Sequence, residues 1–202
     1  LMKEMSPNVV VSVGGYGSLA PMQAAKKLGI QRVVVSYDSQ PGLATKRQAR
    51  DAQLVTKSHP HSPLSTATLV GAPIRRHLRQ AGRTQIDAIT RNAARSVLGI
   101  PLHQFVVVVM GGSLGSALLN GVTEELRHND NLSTVFWYHI AGNRYVETDA
   151  PKTSSNCIQV GYETRIQEVY QAADLVVARS GASTIGEIST LGVASILVPW
   201  AG

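Results

Sequence analysis

Cysteine is almost missing from this sequence: of 202 residues, only Cys157 carries a thiol. An intrachain disulfide is thereby excluded, and a reducing compartment is the simplest setting. Aromatic residues make up 5% of the chain. They form no stacking platform among basic residues, so nucleic acid is not expected as a partner. No run approaches the ~18 apolar residues of a membrane-spanning helix, and the opening LMKEMSPN lacks the three regions of a signal peptide. HExxH, CxxC and any His/Cys pair at ligand spacing are absent, which argues against a metal, and GxSxG is absent, which argues against a nucleophile elbow. No cofactor is expected. His59 and His61 read as surface-loop residues, and His103, His128 and His139 as structural ones.

What is present suits a folded α/β protein. Hydrophobic residues are 44% and charged residues 16%, enough for a sizeable core and unlike a disordered chain. The net charge is +6, unevenly spread: residues 1–101 hold 14 Lys/Arg and 4 Asp/Glu, residues 102–202 hold 5 and 9. The basic residues come in short clusters, Lys26/Lys27, Lys46/Arg47/Arg50 and Arg75/Arg76/Arg79/Arg83. A basic half suits an anionic partner such as a membrane surface, or is simply a solvated face.

Continuously apolar strand-like runs alternate with helical segments. Strands are expected at 9–13, 33–37, 52–56, 68–70, 105–110, 133–140, 157–160, 175–178 and 194–198. Helices are expected at 19–28, 43–52, 117–126, 166–173 and 185–191, with a further one from a Thr84 cap to Leu98. Unbroken rather than alternating hydrophobicity argues for parallel sheets covered on both faces. The expected fold is two Rossmann-like domains: 1–78, a basic linker at 79–104, and 105–202. Trp137 and Trp200 read as core or domain-edge residues; Tyr16 suits a core, but its place among glycines also suits exposure.

Three small-residue turns follow strands and carry the candidate chemistry. Gly111-Gly112-Ser113-Leu114-Gly115 precedes a helix; glycines allow close backbone approach, and a helix start favours a phosphate. It is neither GxGxxG nor a Walker loop, and a tight packing turn is the alternative. Residues 180–184 form a second such turn, with Glu187 placed to meet the helix dipole or a sugar diol. Gly14-Gly15-Tyr16-Gly17-Ser18 offers a separate anion pocket in the first half. Two turns at strand ends in one domain point to a crevice for a nucleotide diphosphate.

The segments VSVGGYGSLAP, QPGLATKRQAR, VGAPIR, VVMGGSLGS and AADLVVARSGASTIGEISTLGVASILVPW occur in an order that resembles the MurG family of peptidoglycan N-acetylglucosaminyltransferases, over nearly the whole chain. The resemblance implies a GT-B architecture of two Rossmann-like domains, both incomplete here, with the active site in the cleft between them. It implies inverting transfer of N-acetylglucosamine from UDP-N-acetylglucosamine to the 4-hydroxyl of an undecaprenyl-linked muramyl-pentapeptide, at the cytoplasmic face of the bacterial plasma membrane. Carried over by position, Arg75, Gly112, Ser113 and the run Ala182, Ser183, Thr184, Ile185, Gly186 and Glu187 would contact the donor, with Glu187 on the ribose. Gly14, Gly15, Tyr16, Gly17 and Ser18 would lie on the acceptor side, and Asp38, which stands where the family usually has Asn, is the candidate catalytic carboxylate.

The chain also departs from the family's pattern. Val35-Ser36-Tyr37-Asp38 lacks the usual His and Glu, Leu114 replaces a usual Gln, Gly186 a usual Ser, and Glu163 a usual apolar residue near the uracil. The family's upstream glycine loop and downstream Gln-rich run are not within these residues. The chain is therefore expected to be a piece of something longer, and a non-catalytic UDP-sugar-binding remnant, or another two-domain nucleotide-sugar transferase, is the rival reading.

Overall fold

The computed structural model describes residues 2–146 and 150–199, which fall into two units, Leu1–Pro73 and Ile74–Gly202. The first unit contains α1 (Met2–Met5), β1 (Val9–Ser12), α2 (Leu19–Lys27), β2 (Gln31–Ser36), α3 (Leu43–Ala49), β3 (Leu54–Lys57) and β4 (Thr68–Leu69). Its four strands lie in chain order and are all parallel, with Val11 opposite Val33 and Val33 opposite Leu54. Met22, Val34, Val55 and Ala67 form its core, with Val10, Ala49, Ala52 and Leu64 packed around them. Pro21 sits in the first turn of α2, where its missing N–H costs nothing.

The second unit contains α4 (Arg76–Ala81), α5 (Ala88–Leu98), β5 (Phe105–Met110), α6 (Ala117–Leu126), β6 (Val135–Ile140), β7 (Lys152–Thr153), β8 (Cys157–Val160), α7 (Ile166–Ala172), β9 (Leu175–Arg179), α8 (Ala182–Leu191) and β10 (Ser195–Val198). The sheet order is β10-β9-β5-β6-β8-β7. All pairings are parallel except that of the two-residue β7, which runs antiparallel to β8 and was not expected. The run Phe105–Met110 is continuously apolar because alternate residues enter different cores. Val106 and Val108 join Leu78, Leu98, Tyr138 and Tyr170 on one face, while Val107 and Val109 join Leu119, Trp137 and Cys157 on the other. Trp200 lies outside the described residues.

Residues 79–104, expected as a linker, group with the second unit. Arg95 on α5 is 4% exposed and fastens this segment to the sheet. Its guanidinium donates to the carbonyls of Ala172 (3.1 Å), Leu102 (2.7 Å) and Gln104 (3.1 Å) and to Asp174 Oδ2 (2.6 Å). The helix expected from a Thr84 cap starts later, at Ala88, and a further helix, α4, precedes it. Asp87 caps α5, its side chain accepting the Thr90 N–H at 2.8 Å, while the Thr84 hydroxyl turns back to Ala81 O at 3.3 Å. Gly99 ends α5 at φ 72°, as the sequence suggests. The charge split changes accordingly. Residues 1–73 hold eight Lys/Arg against three Asp/Glu, a balance of +5, because six of the arginines before residue 102 belong to the second unit.

Candidate functional site

In the second unit the chain order reverses between β5 and β9. An open α/β sheet binds ligands at such a switch point, beyond the carboxyl ends of the strands. The loop after β5 is built by close packing. A Cβ on Gly111 would lie 2.4 Å from Ser116 N, one on Gly115 2.0 Å from Ala141 O, and one on Gly142 2.5 Å from the Gly115 backbone. These glycines let the loop lie directly on the end of β6. Gly112 differs: at φ +87° it has nothing within 4 Å of its Cβ position, so its open side faces free space. Ser113 beside it is exposed.

The two helix starts are not equivalent. α6 is capped internally, since Ser116 Oγ accepts the Leu119 N–H at 3.4 Å. α8 has no side-chain cap: Gly181 is extended, and the first backbone bond runs from Ile185 N–H to Gly181 O at 2.9 Å. The N–H groups of its first turn therefore remain available to an anion. The helix starts at Ala182, so residues 182–184, expected as part of a turn, form its first turn.

Glu187 sits one turn further on and is 7% exposed. Its Oε1 accepts from Arg75 Nε (3.2 Å) and Nη2 (2.9 Å), and its Oε2 accepts from the Tyr170 hydroxyl (3.0 Å). Burial, together with the Glu187 charge, pushes the Tyr170 hydroxyl pKa up. A carboxylate has about four acceptor positions, so one remains on Glu187 for a ligand hydroxyl.

Arg75, Gly112, Ser113, Ser183, Thr184 and Glu187 meet around a pocket of about 300 Å³. Ala182, Ile185 and Gly186 belong to α8 but do not line it. Met110, Ile140, Ile166, Tyr162 and Glu163 complete the wall. The lining thus joins a polar, uncapped helix start to apolar side chains and an exposed tyrosine. Tyr162 was not singled out from the sequence, and Glu163 only as a departure from the family. Both follow a parallel strand directly, and site residues gather at strand carboxyl ends, so that position was the available signal. Burial opposes ionisation of Glu163, but hydrogen bonds from the Arg165 side chain, the Tyr138 hydroxyl and the Arg165 backbone outweigh it and hold its pKa at about 2.

Behind the loop, His139 is 3% exposed on β6. Its Nε2 donates to Asn120 Oδ1 (2.9 Å) and its Nδ1 accepts from Gln159 Nε2 (3.1 Å), an arrangement for the neutral ring. Asn120 Nδ2 in turn donates to Ala141 O at 3.0 Å, the carbonyl against which Gly115 packs. Burial pushes the His139 pKa down to about 4 from 6.5. The unfolded chain therefore binds this proton first, and stability drains as pH falls from about 6.5 to 4, by roughly 3 kcal/mol. Glu163 is also depressed, so its contribution is present above 4.5 and lost as pH falls towards 2. Because Arg165 is 44% exposed, solvent screening reduces that step to about 1–2 kcal/mol. Urea midpoints should be level above pH 7 and fall in these two windows; a level profile down to pH 4 would contradict the His139 assignment.

In the first unit the loop after β1 is held by a polar chain. Ser12 Oγ donates to Gln48 Oε1 (2.6 Å) and accepts the Gly14 N–H (3.1 Å), while Gln48 Nε2 donates to Ser18 Oγ (2.7 Å). Ser18 Oγ itself donates to Gly15 O (2.7 Å). Gly14 and Gly15 take φ of 94° and 80°, and a Cβ on Gly14 would meet Thr45 Oγ1 at 2.6 Å. Tyr16 is 77% exposed, and Gly17 follows within the same 3-10 turn, Tyr16–Ser18. Asp38 is exposed in the loop between β2 and α3. Among the described residues no group of three metal-ligating side chains exists.

The chain is similar to known proteins over nearly all of its length. The profile of the glycosyltransferase family 28 C-terminal domain matches residues 106–202. The UDP-N-acetylglucosamine–N-acetylmuramyl-(pentapeptide) pyrophosphoryl-undecaprenol N-acetylglucosamine transferase of Cutibacterium acnes is 33% identical over 98% of this chain and 55% of its own length. Its counterpart in Nocardioides sp. is also 33% identical, over 98% of this chain and 54% of its own. The chain thus spans about half the length of the curated relatives it matches. Among solved structures, Acinetobacter baumannii MurG superposes with a TM-score of 0.68 at 24% identity, over 99% of this chain and 55% of its own. The Streptomyces sp. SF2575 glycosyltransferase SsfS6 complexed with thymidine diphosphate gives 0.61 at 18%, over 98% and 53%. The parallel sheets and these neighbours establish a GT-B glycosyltransferase fold, and the chain belongs to the family of the pyrophosphoryl-undecaprenol N-acetylglucosamine transferases.

Proposed function

We propose that the chain works in transfer of N-acetylglucosamine from UDP-N-acetylglucosamine to a lipid-linked N-acetylmuramyl-pentapeptide, with the second unit holding the donor. The observation that carries this reading is the uncapped start of α8 beside Gly112 and Ser113, in one pocket with Glu187. The diphosphate lies at that helix start, where N–H groups and the dipole offset the charge that grows on the leaving UDP. Glu187 accepts a ribose hydroxyl, and the base packs on the apolar side chains by Tyr162. Inverting transfer is a direct displacement: the acceptor 4-hydroxyl attacks the anomeric carbon, loses its proton to a base, and UDP departs. Glu163 and Glu187 are both engaged by arginines, so neither is free to take that proton. Asp38, exposed in the first unit, is the proposed base.

Transfer of labelled N-acetylglucosamine to a lipid-linked muramyl acceptor tests this. Glu187→Ala is expected to lower kcat/KM for the donor at least tenfold, the equivalent of ~1.4 kcal/mol. Binding of UDP with no transfer under any acceptor condition would favour the rival reading, a donor-binding protein without turnover; the engagement of both pocket carboxylates is the observation on its side.

The first unit is proposed to meet an anionic membrane surface on the cytoplasmic side. Lys26, Lys27, Arg32 and Arg47 surround a cavity of about 460 Å³ that Leu19 also lines. Only Asp51 opposes them there, paired with Lys26 and Arg32. Each basic residue near an anionic surface contributes about 1 kcal/mol, screened within a Debye length. The protein should float with anionic vesicles at low salt and be released at high salt. Retention that ignores lipid charge would reject the electrostatic account.

A further inference from the structure

The polar chain behind the loop after β5 has a defined direction. Gln159 Nε2 donates to His139 Nδ1 (3.1 Å), His139 Nε2 donates to Asn120 Oδ1 (2.9 Å), and Asn120 Nδ2 donates to Ala141 O (3.0 Å). These side chains come from β8, β6 and α6. A neutral ring that accepts at Nδ1 must donate at Nε2, so Gln159 fixes the tautomer. The donor at Nε2 then orients the Asn120 amide, with its oxygen towards His139 and its NH2 group towards Ala141.

The carbonyl at the end of this chain carries the loop. A Cβ on Gly115 would collide with Ala141 O, and one on Gly142 would lie 2.5 Å from Gly115 N and 2.7 Å from the Leu114 carbonyl carbon. The Gly115 N–H donates to Gly112 O at 3.0 Å, closing the turn that presents Gly112 and Ser113 to the pocket. Asn120 also belongs to the helix that leaves the loop, where its N–H donates to Ser116 O at 2.9 Å. The loop is thus fixed at its far end by α6 and underneath by Ala141, and the Asn120 side chain joins the two. Hydrogen bonds to a ligand weaken steeply with misalignment, so a loop that shifts on β6 loses them.

We propose that Asn120, oriented by His139 and Gln159, is a positioning residue that locks this loop onto the end of β6 and aims Gly112 and Ser113 at the ligand's phosphates. The inference rests on the reading of this pocket as a nucleotide site. Asn120 is not among the residues that line the pocket, so its effect passes through the loop. Glu187 and Tyr162, which meet the ribose and base in that reading, lie on other segments.

The test is calorimetric titration with UDP and uridine of the wild type, Asn120→Leu, His139→Leu and His139→Gln. Asn120→Leu keeps the size of the side chain and neither of its bonds. Its UDP affinity should fall about tenfold, on the scale of one hydrogen bond to a charged group, while its uridine affinity stays at the wild-type value. His139→Leu leaves the amide unoriented and should show the same selective loss. His139→Gln, whose amide can donate to Asn120 Oδ1, should recover most of it. Asn120 is half-buried and outside the core clusters, so its variant is expected to fold even if the buried leucine at 139 is not tolerated. A merely structural role would weaken both ligands together or neither. Parallel losses for UDP and uridine in Asn120→Leu, or an unchanged UDP affinity, overturn the positioning role. A wild type that binds uridine as tightly as UDP overturns the phosphate reading of the pocket, and the proposal with it.

Discussion

Asp174→Ala is expected to destabilise the second unit by about 3–5 kcal/mol, a fall in Tm of roughly 10 °C. Asp174 lies between α7 and β9 and gathers three donors. Arg91 Nη1 reaches Oδ1 at 2.7 Å, while Arg95 Nη2 and the Val106 N–H reach Oδ2 at 2.6 and 2.8 Å. Arg95 is 4% exposed, so removing the carboxylate strands a buried guanidinium and leaves the β5 N–H without its acceptor. The energy at stake is the cost of that unpaired charge and not the worth of the ion pair. Asp174→Asn should lose less, because the amide oxygen still accepts one bond. Thermal unfolding followed by far-UV dichroism decides the matter. A change in Tm below about 3 °C for the alanine variant would show that the network is not what joins α5 to the sheet.

This network also shows where the sequence was legible. β5 could be read because six apolar residues in a row have few other fates, and the structure explains the run by cores on both faces. Gly99 and Gly192 could be read as helix stops, and both adopt left-handed φ, 72° and 66°. The arginines before residue 102 were misleading. As a composition they suggest a basic surface or linker, but Arg75, Arg91 and Arg95 each meet a carboxylate 79 or more residues away in the chain. Pairing at that separation leaves no local pattern. The cap of α5 was misplaced for a related reason: Thr84 and Asp87 are both good cap residues, and only the fold of α4 decides between them.

The pocket was partly legible in the same sense. Glycine-rich turns after apolar strands announced the loop at residues 111–115 and the start of α8. The sequence did not show that α6 caps itself through Ser116 while α8 stays open, because both helices begin with small and hydroxyl residues. Nor did it show that Tyr170 would support Glu187 from α7, since that contact depends on how two helices pack.

The difference between the two helix starts gives the second large expectation. A diphosphate placed at α8 receives several N–H donors and is within reach of Ser113 and Arg75, and hydrogen bonds to charged groups contribute about 1.5–3 kcal/mol each. Two such bonds correspond to at least about a hundredfold in affinity. Uridine keeps the base contacts and Glu187 but forfeits all of that. The most direct measurement is calorimetric titration of the wild-type protein with uridine, UMP and UDP at one ionic strength. The account predicts affinity rising along that series, with UDP at least tenfold tighter than uridine. Equal affinity for uridine and UDP would contradict it, because the open end of α8 would then hold no phosphate.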